Sequence, residues 1–191
     1  MVPGASVAAP ARPPGDNVPA MSGALRAARG WGPAKPERTL RFRHTPPDRG
    51  DGLVLLGAMR AEIARLYQGL DLDAPAMPRA GPAELSPPRG AFVVGYMQQT
   101  PVCCGGIKRL DAHSCELKRI YVAEGCRGRG VARALLEELE SVARGLGYSV
   151  ARLDTGPRQG HARSLFESAG YRPVADFNGN PIATFWGEKR L

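Results

Sequence analysis

The residue types and spacing best suited to chemistry lie in one run of this 191-residue chain, Glu116-Leu-Lys-Arg-Ile-Tyr-Val-Ala-Glu-Gly-Cys-Arg-Gly-Arg-Gly-Val-Ala132. Gly125, Gly128 and Gly130 break an apolar stretch just ahead of a helical pattern. Glycine lets the backbone take φ > 0 and lets a ligand approach with no Cβ in the way. A strand that passes through such a turn into a helix aims several backbone N–H groups at one point, at the positive end of the helix dipole. That arrangement suits a phosphate-bearing ligand. Arg127, Arg129 and Arg133 add positive charge at the same helix start, where an anion would offset their repulsion by the dipole. Each such charge–dipole interaction is worth only about 0.3–1 kcal/mol at an exposed site, so the convergent N–H groups matter more than any one arginine.

The elements that must position this turn are legible on either side of it. Leu117, Ile120 and Val122, with Tyr121 between, have the β-branched and aromatic content of a short strand. From Val131 the apolar period becomes helical through Leu135, Leu136, Leu139, Val142, Ala143 and Leu146, and Gly147 is placed to end the helix. Residues 149–154 read as the next strand, parallel to the first because a whole helix separates them. A short helix follows over His161–Ala169, closed by Gly170, and residues 172–174 and 183–189 read as two last strands in antiparallel pairing. Upstream, residues 39–44 alternate as an opening strand. Asp51 is placed to cap a helix carrying Leu55, Leu56, Met59, Ile63, Leu66 and Tyr67. Residues 91–97 and 102–108 form a hairpin through Gln98–Pro101, and a second hairpin through Asp111–Ser114 leads to the strand at Glu116.

Two familiar phosphate motifs are excluded. The dinucleotide fingerprint needs a third glycine where Arg133 stands, and the nucleoside-triphosphate loop needs a Gly-Lys pair that the chain lacks. Arg127-Gly-Arg-Gly-Val-Ala132 instead resembles the acyl-CoA-binding turn of the GNAT acetyltransferase superfamily, Gln/Arg-x-x-Gly-x-Gly/Ala. His161–Tyr171 is similar to that family's second helical signature, matching at Ala162, Leu165, Glu167, Gly170 and Tyr171. It departs at Gln159, where asparagine is usual, and at Phe166, where tyrosine is usual. The resemblance covers about residues 38–191 and is strongest over 116–174.

The resemblance implies an α/β (α+β) fold: a central mixed, mostly antiparallel sheet with flanking helices and two parallel central strands that splay. It also implies acetyl-CoA as acyl donor, no metal, and an N-acetyltransferase acting on a primary amine of a small molecule or peptide by direct attack in a ternary complex. Backbone groups of Ile120, Tyr121 and Val122 would hold the pantetheine arm. The backbone from Arg127 through Gly128, Arg129, Gly130 and Val131 to Ala132 would bind the pyrophosphate. Gln159 and Phe166 would also border the cofactor, and an N–H near Val122 would polarise the thioester. Glu116 is the candidate general base, because an alkyl amine of pKa about 10 is mostly protonated at neutral pH. Phe166 cannot supply the proton that the usual tyrosine gives the departing thiolate. The thiolate leaves unassisted, or Ser164, Tyr121 or water substitutes.

Composition agrees with one domain over 37–191 preceded by a tail. Residues 1–36 hold seven prolines and five glycines and read as disordered, with no secretory signal pattern. No stretch approaches a membrane span. The net charge of +8 includes +3 from that tail, and an anionic cofactor accounts for a basic domain as well as nucleic acid does. No basic stripe interleaved with aromatics appears. Cys103, Cys104, Cys115 and Cys126 lack C-x₂-C metal spacing and read as reduced thiols of a cytoplasmic protein, Cys126 at the glycine turn being the one to watch. A homodimer is compatible with all of this. Two other classes stay open: a GNAT-like acyl-CoA sensor without catalysis, favoured by Phe166, and a nucleic-acid-binding protein, supported only by charge.

Overall fold

A computed structural model describes residues 39–191; the disordered tail expected over residues 1–36 lies outside them. The expected alternation of strands and helices is present. Strands β1 (Leu40–His44), β2 (Ala91–Met97), β3 (Thr100–Arg109), β4 (Ser114–Val122), β5 (Val150–Thr155), β6 (Arg172–Pro173) and β7 (Phe185–Arg190) form one sheet. Helices α1 (Gly50–Leu66), α2 (Val131–Gly145) and α3 (Gly160–Ser168) connect them. The spatial order is β1-β2-β3-β4-β5-β7-β6, and every neighbouring pair is antiparallel except β4 with β5.

Strand residues alternate between two apolar clusters, as a period of two requires. Val93, Cys103, Ile107, Cys115, Leu117, Ala151 and Leu153 bury against Leu135, Leu136 and Leu139 of α2 and Phe166 of α3. Phe92, Val94, Tyr96 and Cys104 bury against Leu55, Leu56, Met59 and Ile63 of α1. Helix and sheet meet closely at Gly105, where a Cβ would lie 2.6 Å from Leu139 Cδ1. α2 ends as its sequence signals. Gly147 takes φ +90°, its N–H bonds to Arg144 O and that of Tyr148 to Ala143 O, which satisfies two terminal carbonyls.

Two local expectations are corrected. Asp51 does not cap α1. The helix begins at Gly50 with Arg49 as its cap residue, and Asp51 Oδ2, two positions too far along, accepts a hydrogen bond from Tyr96 Oη at 2.8 Å. The β2–β3 connection is two residues rather than four. Gln98 and Gln99 both take positive φ (51° and 74°), which closes a tight hairpin, so Thr100 and Pro101 already pair with Met97 and Tyr96. No helix among the described residues is long and apolar enough to cross a membrane.

Leu139 is fully buried and reaches β3 across the tight contact at Gly105. Leu139→Ala is expected to lower unfolding stability by about 2–5 kcal/mol, read as a lower urea midpoint with an unchanged slope.

Candidate active site

The site begins where two strands part. β4 and β5 pair only over Ser114↔Val150, Cys115↔Ala151 and Glu116↔Arg152. Beyond that point β4 stays with β3, through Lys118↔Gly106, Tyr121↔Cys104 and Val122↔Cys103, while β5 stays with β7 along its whole length. A register shift between β3 and β4 accompanies the divergence, with Arg119 at φ +58°. Residues 117–122 therefore keep one edge with no neighbouring strand. That edge is open to an extended ligand, which can add as a further strand, although Val122 O already accepts from Arg127 Nε and Arg119 O from Cys104 Sγ.

That edge runs into the glycine turn. Gly128 and Gly130 take φ +71° and +79°, a conformation in which a Cβ is strained. The N–H groups of Cys126 and Arg127 turn back to Ala123 O and Glu124 O, and the first bond of α2 is Ala134 N–H to Gly130 O. The N–H groups of residues 128–133 have no backbone acceptor and stand at the start of α2. Of the cradle expected over Arg127–Ala132, Gly128, Arg129, Gly130, Val131 and Ala132 therefore present N–H groups without a backbone acceptor, whereas that of Arg127 is taken by Glu124 O.

The arginine side chains divide. Arg127 is a strut: its Nε donates to Val122 O at 2.9 Å, its Nη2 to Glu62 Oε2 at 2.5 Å, and its guanidinium lies over the Tyr121 ring. Arg133 reaches Ser168 Oγ at 2.6 Å. Arg129 is exposed and borders a recess with Leu40, Met97 and Ala134. Gln159 Oε1 accepts from Thr155 Oγ1 and Gly156 N–H, which ties the end of β5 to α3. Phe166 is 4% exposed, its ring tilted against that of Tyr171. Arg158 turns to Leu66 O and the Tyr67 ring at the end of α1.

On the α1 side of the parting strands lies a buried polar network. Glu116, 0% exposed, accepts at Oε1 from Asn178 Nδ2 (2.5 Å) and Lys118 Nζ (2.9 Å). Lys118 Nζ also lies 2.9 Å from Asp154 Oδ1, so a side-chain bridge joins β4 to β5 just past their last backbone pair. Asn178 and Asn180 both donate to Asp154 Oδ2, and Trp186 Nε1 donates to Asn178 Oδ1. Glu116 Oε2 has Lys108 Nζ at 3.5 Å but accepts no hydrogen bond. Burial alone would raise the Asp154 carboxyl. The Lys118 ammonium and the bonds from both asparagines outweigh it and hold the group below the ordinary aspartate value.

Lys118, Asp154, Asn178 and Asn180 were not singled out by sequence reasoning. The Asn, Gly and Pro content of residues 178–181 signals a turn, but not the strands its amides reach. Burial pushes the thiols of Cys103 and Cys115 up to about 12, and that of Cys104 further, so these three are not nucleophiles. Cys126 is the partly exposed one.

Comparison with known proteins accords with this geometry. The profile of the Acetyltransferase (GNAT) family matches residues 59–171, more than half of the chain. This chain belongs to that family. A protein named "IAA acetyltransferase" from Azospirillum brasilense is 32% identical over 106 residues, which cover 53% of this chain and 69% of that protein. The chain spans 60% to 69% of the length of the curated relatives it matches. Among solved structures, a GNAT-family acetyltransferase from Staphylococcus aureus superposes with TM-score 0.65 at 16% identity, covering 80% of this chain and 99% of the other. A GNAT-family acetyltransferase from Elizabethkingia anophelis, with acetyl-CoA bound, gives TM-score 0.55 at 15% identity over 80% of this chain and 98% of the other. At these identities the two structures establish the shared fold.

The depressed Asp154 carboxyl contributes stability that is present above the unfolded aspartate value, about 3.9, and is lost as pH falls through the folded one. The urea midpoint is therefore expected to fall as pH drops below about 4. Asp154→Asn should lower stability at neutral pH, by removing one of the two carboxylates that face Lys118, and make that acid decline shallower.

Proposed function

We propose that this protein is an acetyl-CoA-dependent N-acetyltransferase that acts on a primary amine of a small molecule or peptide by direct attack in a ternary complex. The observation that carries the proposal is the unpaired edge of β4 running into the unpartnered N–H groups of residues 128–133. An extended amide-bearing arm ending in a pyrophosphate fits that combination. Bound acetyl-CoA would supply an activated acetyl thioester.

The chain's own residues divide the remaining work. The backbone of Ile120, Tyr121 and Val122 borders the arm, although Val122 O is already taken by Arg127. The N–H groups from Gly128 to Arg133 hold the diphosphate, with Arg129 free to add charge. Phe166 contributes packing through the cluster beneath α2, and Gln159 fixes the loop between β5 and α3.

Glu116 is the proposed proton acceptor. Its Oε2 is a fully buried carboxylate oxygen without a hydrogen bond, and a buried acceptor in that state calls for a donor. An amine N–H or a relaying water is that donor. The amine's proton passes to Oε2 as its nitrogen bonds to the acetyl carbon and the C–S bond breaks. The departing thiolate is a modest base and takes a proton from water. Phe166 also favours a second reading, a binding module without turnover, because its buried ring brings no hydroxyl to the leaving group.

The two readings separate in one pair of measurements. Retention on a CoA matrix together with thiol release from acetyl-CoA in the presence of an amine panel supports the enzyme. Retention without release supports the sensor, and no retention sinks both. Glu116→Gln is expected to cut the rate about 10²-fold at neutral pH, with the deficit shrinking as pH approaches the amine's own pKa near 10. A deficit that does not change with pH would remove Glu116 as base.

A further inference from the structure

Beside the buried Glu116 network, on the far side of Lys108, lies a recess of about 460 Å³ that nothing in the donor site uses. Its polar walls are Glu84, Ser86, Arg89, Lys108 and Arg109. Three basic residues and one carboxylate line it, and that carboxylate already accepts the Gly81 N–H at 2.9 Å. Arg109 spends only its Nε, on Asp111 O. The recess is therefore a positive pocket with donors to spare.

The walls are anchored. Leu85, 1% exposed, plugs the segment into the core beside Phe92. Tyr148 Oη donates to Arg89 O at 2.6 Å, and the Gly90 N–H bonds to Ser86 O. Gly90 lies so close to β3 that a Cβ there would stand 2.8 Å from Ile107 O. These contacts set the loop bearing Arg89 against the end of β3 that bears Lys108 and Arg109.

Lys108 links the recess to the proposed chemistry. Lys108 lines the recess, and its ammonium lies 3.5 Å from Glu116 Oε2, the buried oxygen that accepts no hydrogen bond. We propose that the recess binds the carboxylate of the acceptor, so that the acceptor class is amines carrying a nearby carboxylate, such as amino acids. The acid group docks on Arg89, Lys108 and Arg109, and the amine of the same molecule points past Lys108 to Glu116 Oε2. This inference rests on the acetyl-transfer reading but has its own readout.

Matched pairs decide it: amino acids and their carboxamides, compared as acceptors in thiol release and, separately, as ligands of the protein alone by calorimetry. The acids are expected to exceed the amides roughly tenfold in kcat/KM and in affinity, the size of one charge-assisted contact. Arg89→Gln/Arg109→Gln, which leaves Lys108 and Glu116 in place, should erase that preference by raising KM for the acids with kcat kept. Acids and amides used and bound alike, or a double variant without effect on the acids, would overturn the carboxylate pocket while thiol release still supports acetyl transfer. Acid-selective binding lost in the double variant, in a protein that does not bind CoA, would support the pocket and overturn the transfer reading.

Discussion

The parting of β4 from β5 is the constraint on which the rest of the structure depends. Each strand is committed to a different neighbour, β4 to β3 and β5 to β7, and only three residue pairs join the two halves of the sheet directly. An internal strand edge left open exposes backbone groups whose burial without partners is costly. The fold answers this on one face with side chains that span the opening. Lys118 spans the divergence between Glu116 and Asp154, at the place where backbone bonds cease. Arg119, at the irregular register of β4, reaches Leu72 O, Ala80 O and Asp73 and so ties the connection after α1 to the same strand.

Such a network is not an efficient source of stability. Burying two carboxylates and a lysine costs desolvation that their mutual attraction roughly offsets, and apolar residues of similar volume would often serve stability as well. What the charges provide is geometry. The Lys118 salt bridges, with N–H bonds from the side-chain amides of Asn178 to both carboxylates and of Asn180 to Asp154, hold Asp154 and Glu116 at fixed positions. Asn178 spends its amide on both carboxylates and its carbonyl on Trp186, so the loop before β7 is locked to the opening.

What was legible in the sequence was what is local. Strand, glycine turn and helix from residue 116 to 145 follow from composition and period over adjacent residues, and the N–H groups of residues 128–133 left without backbone acceptors follow with them. The end of α2 at Gly147 and of α3 at Gly170 needed only the positive φ that glycine tolerates. The features that escaped are non-local. Asn178 meets Glu116 across 62 positions, and Arg127 meets Glu62 across 65. No spacing rule assigns such partners. Arginine beside a glycine turn suggests charge for a ligand, yet the Arg127 guanidinium braces the turn against β4 and α1. Asp51 shows the same limit on a smaller scale, since a residue type suited to capping was claimed by Tyr96 from β2.

The alternation of β4 separates the two halves of the site. Cys115 and Leu117 face α2 and belong to the packing that carries the cradle, while Glu116 and Lys118 face α1 and belong to the charged network. Substitutions at 116, 118 or the walls around Lys108 can therefore alter what approaches from the α1 side without repacking α2. The turn at residues 128–133 depends little on most side chains, because what it presents is backbone N–H groups shaped by two positive-φ glycines. The polar face has less tolerance, since Glu116 Oε1, Lys118, Asp154 and Asn178 each bond to another member of the network and only Glu116 Oε2 is left without a hydrogen bond. On the proposed reading, a binding half built from backbone and a selecting half built from side chains would allow one fold to keep its donor while its acceptors diverge.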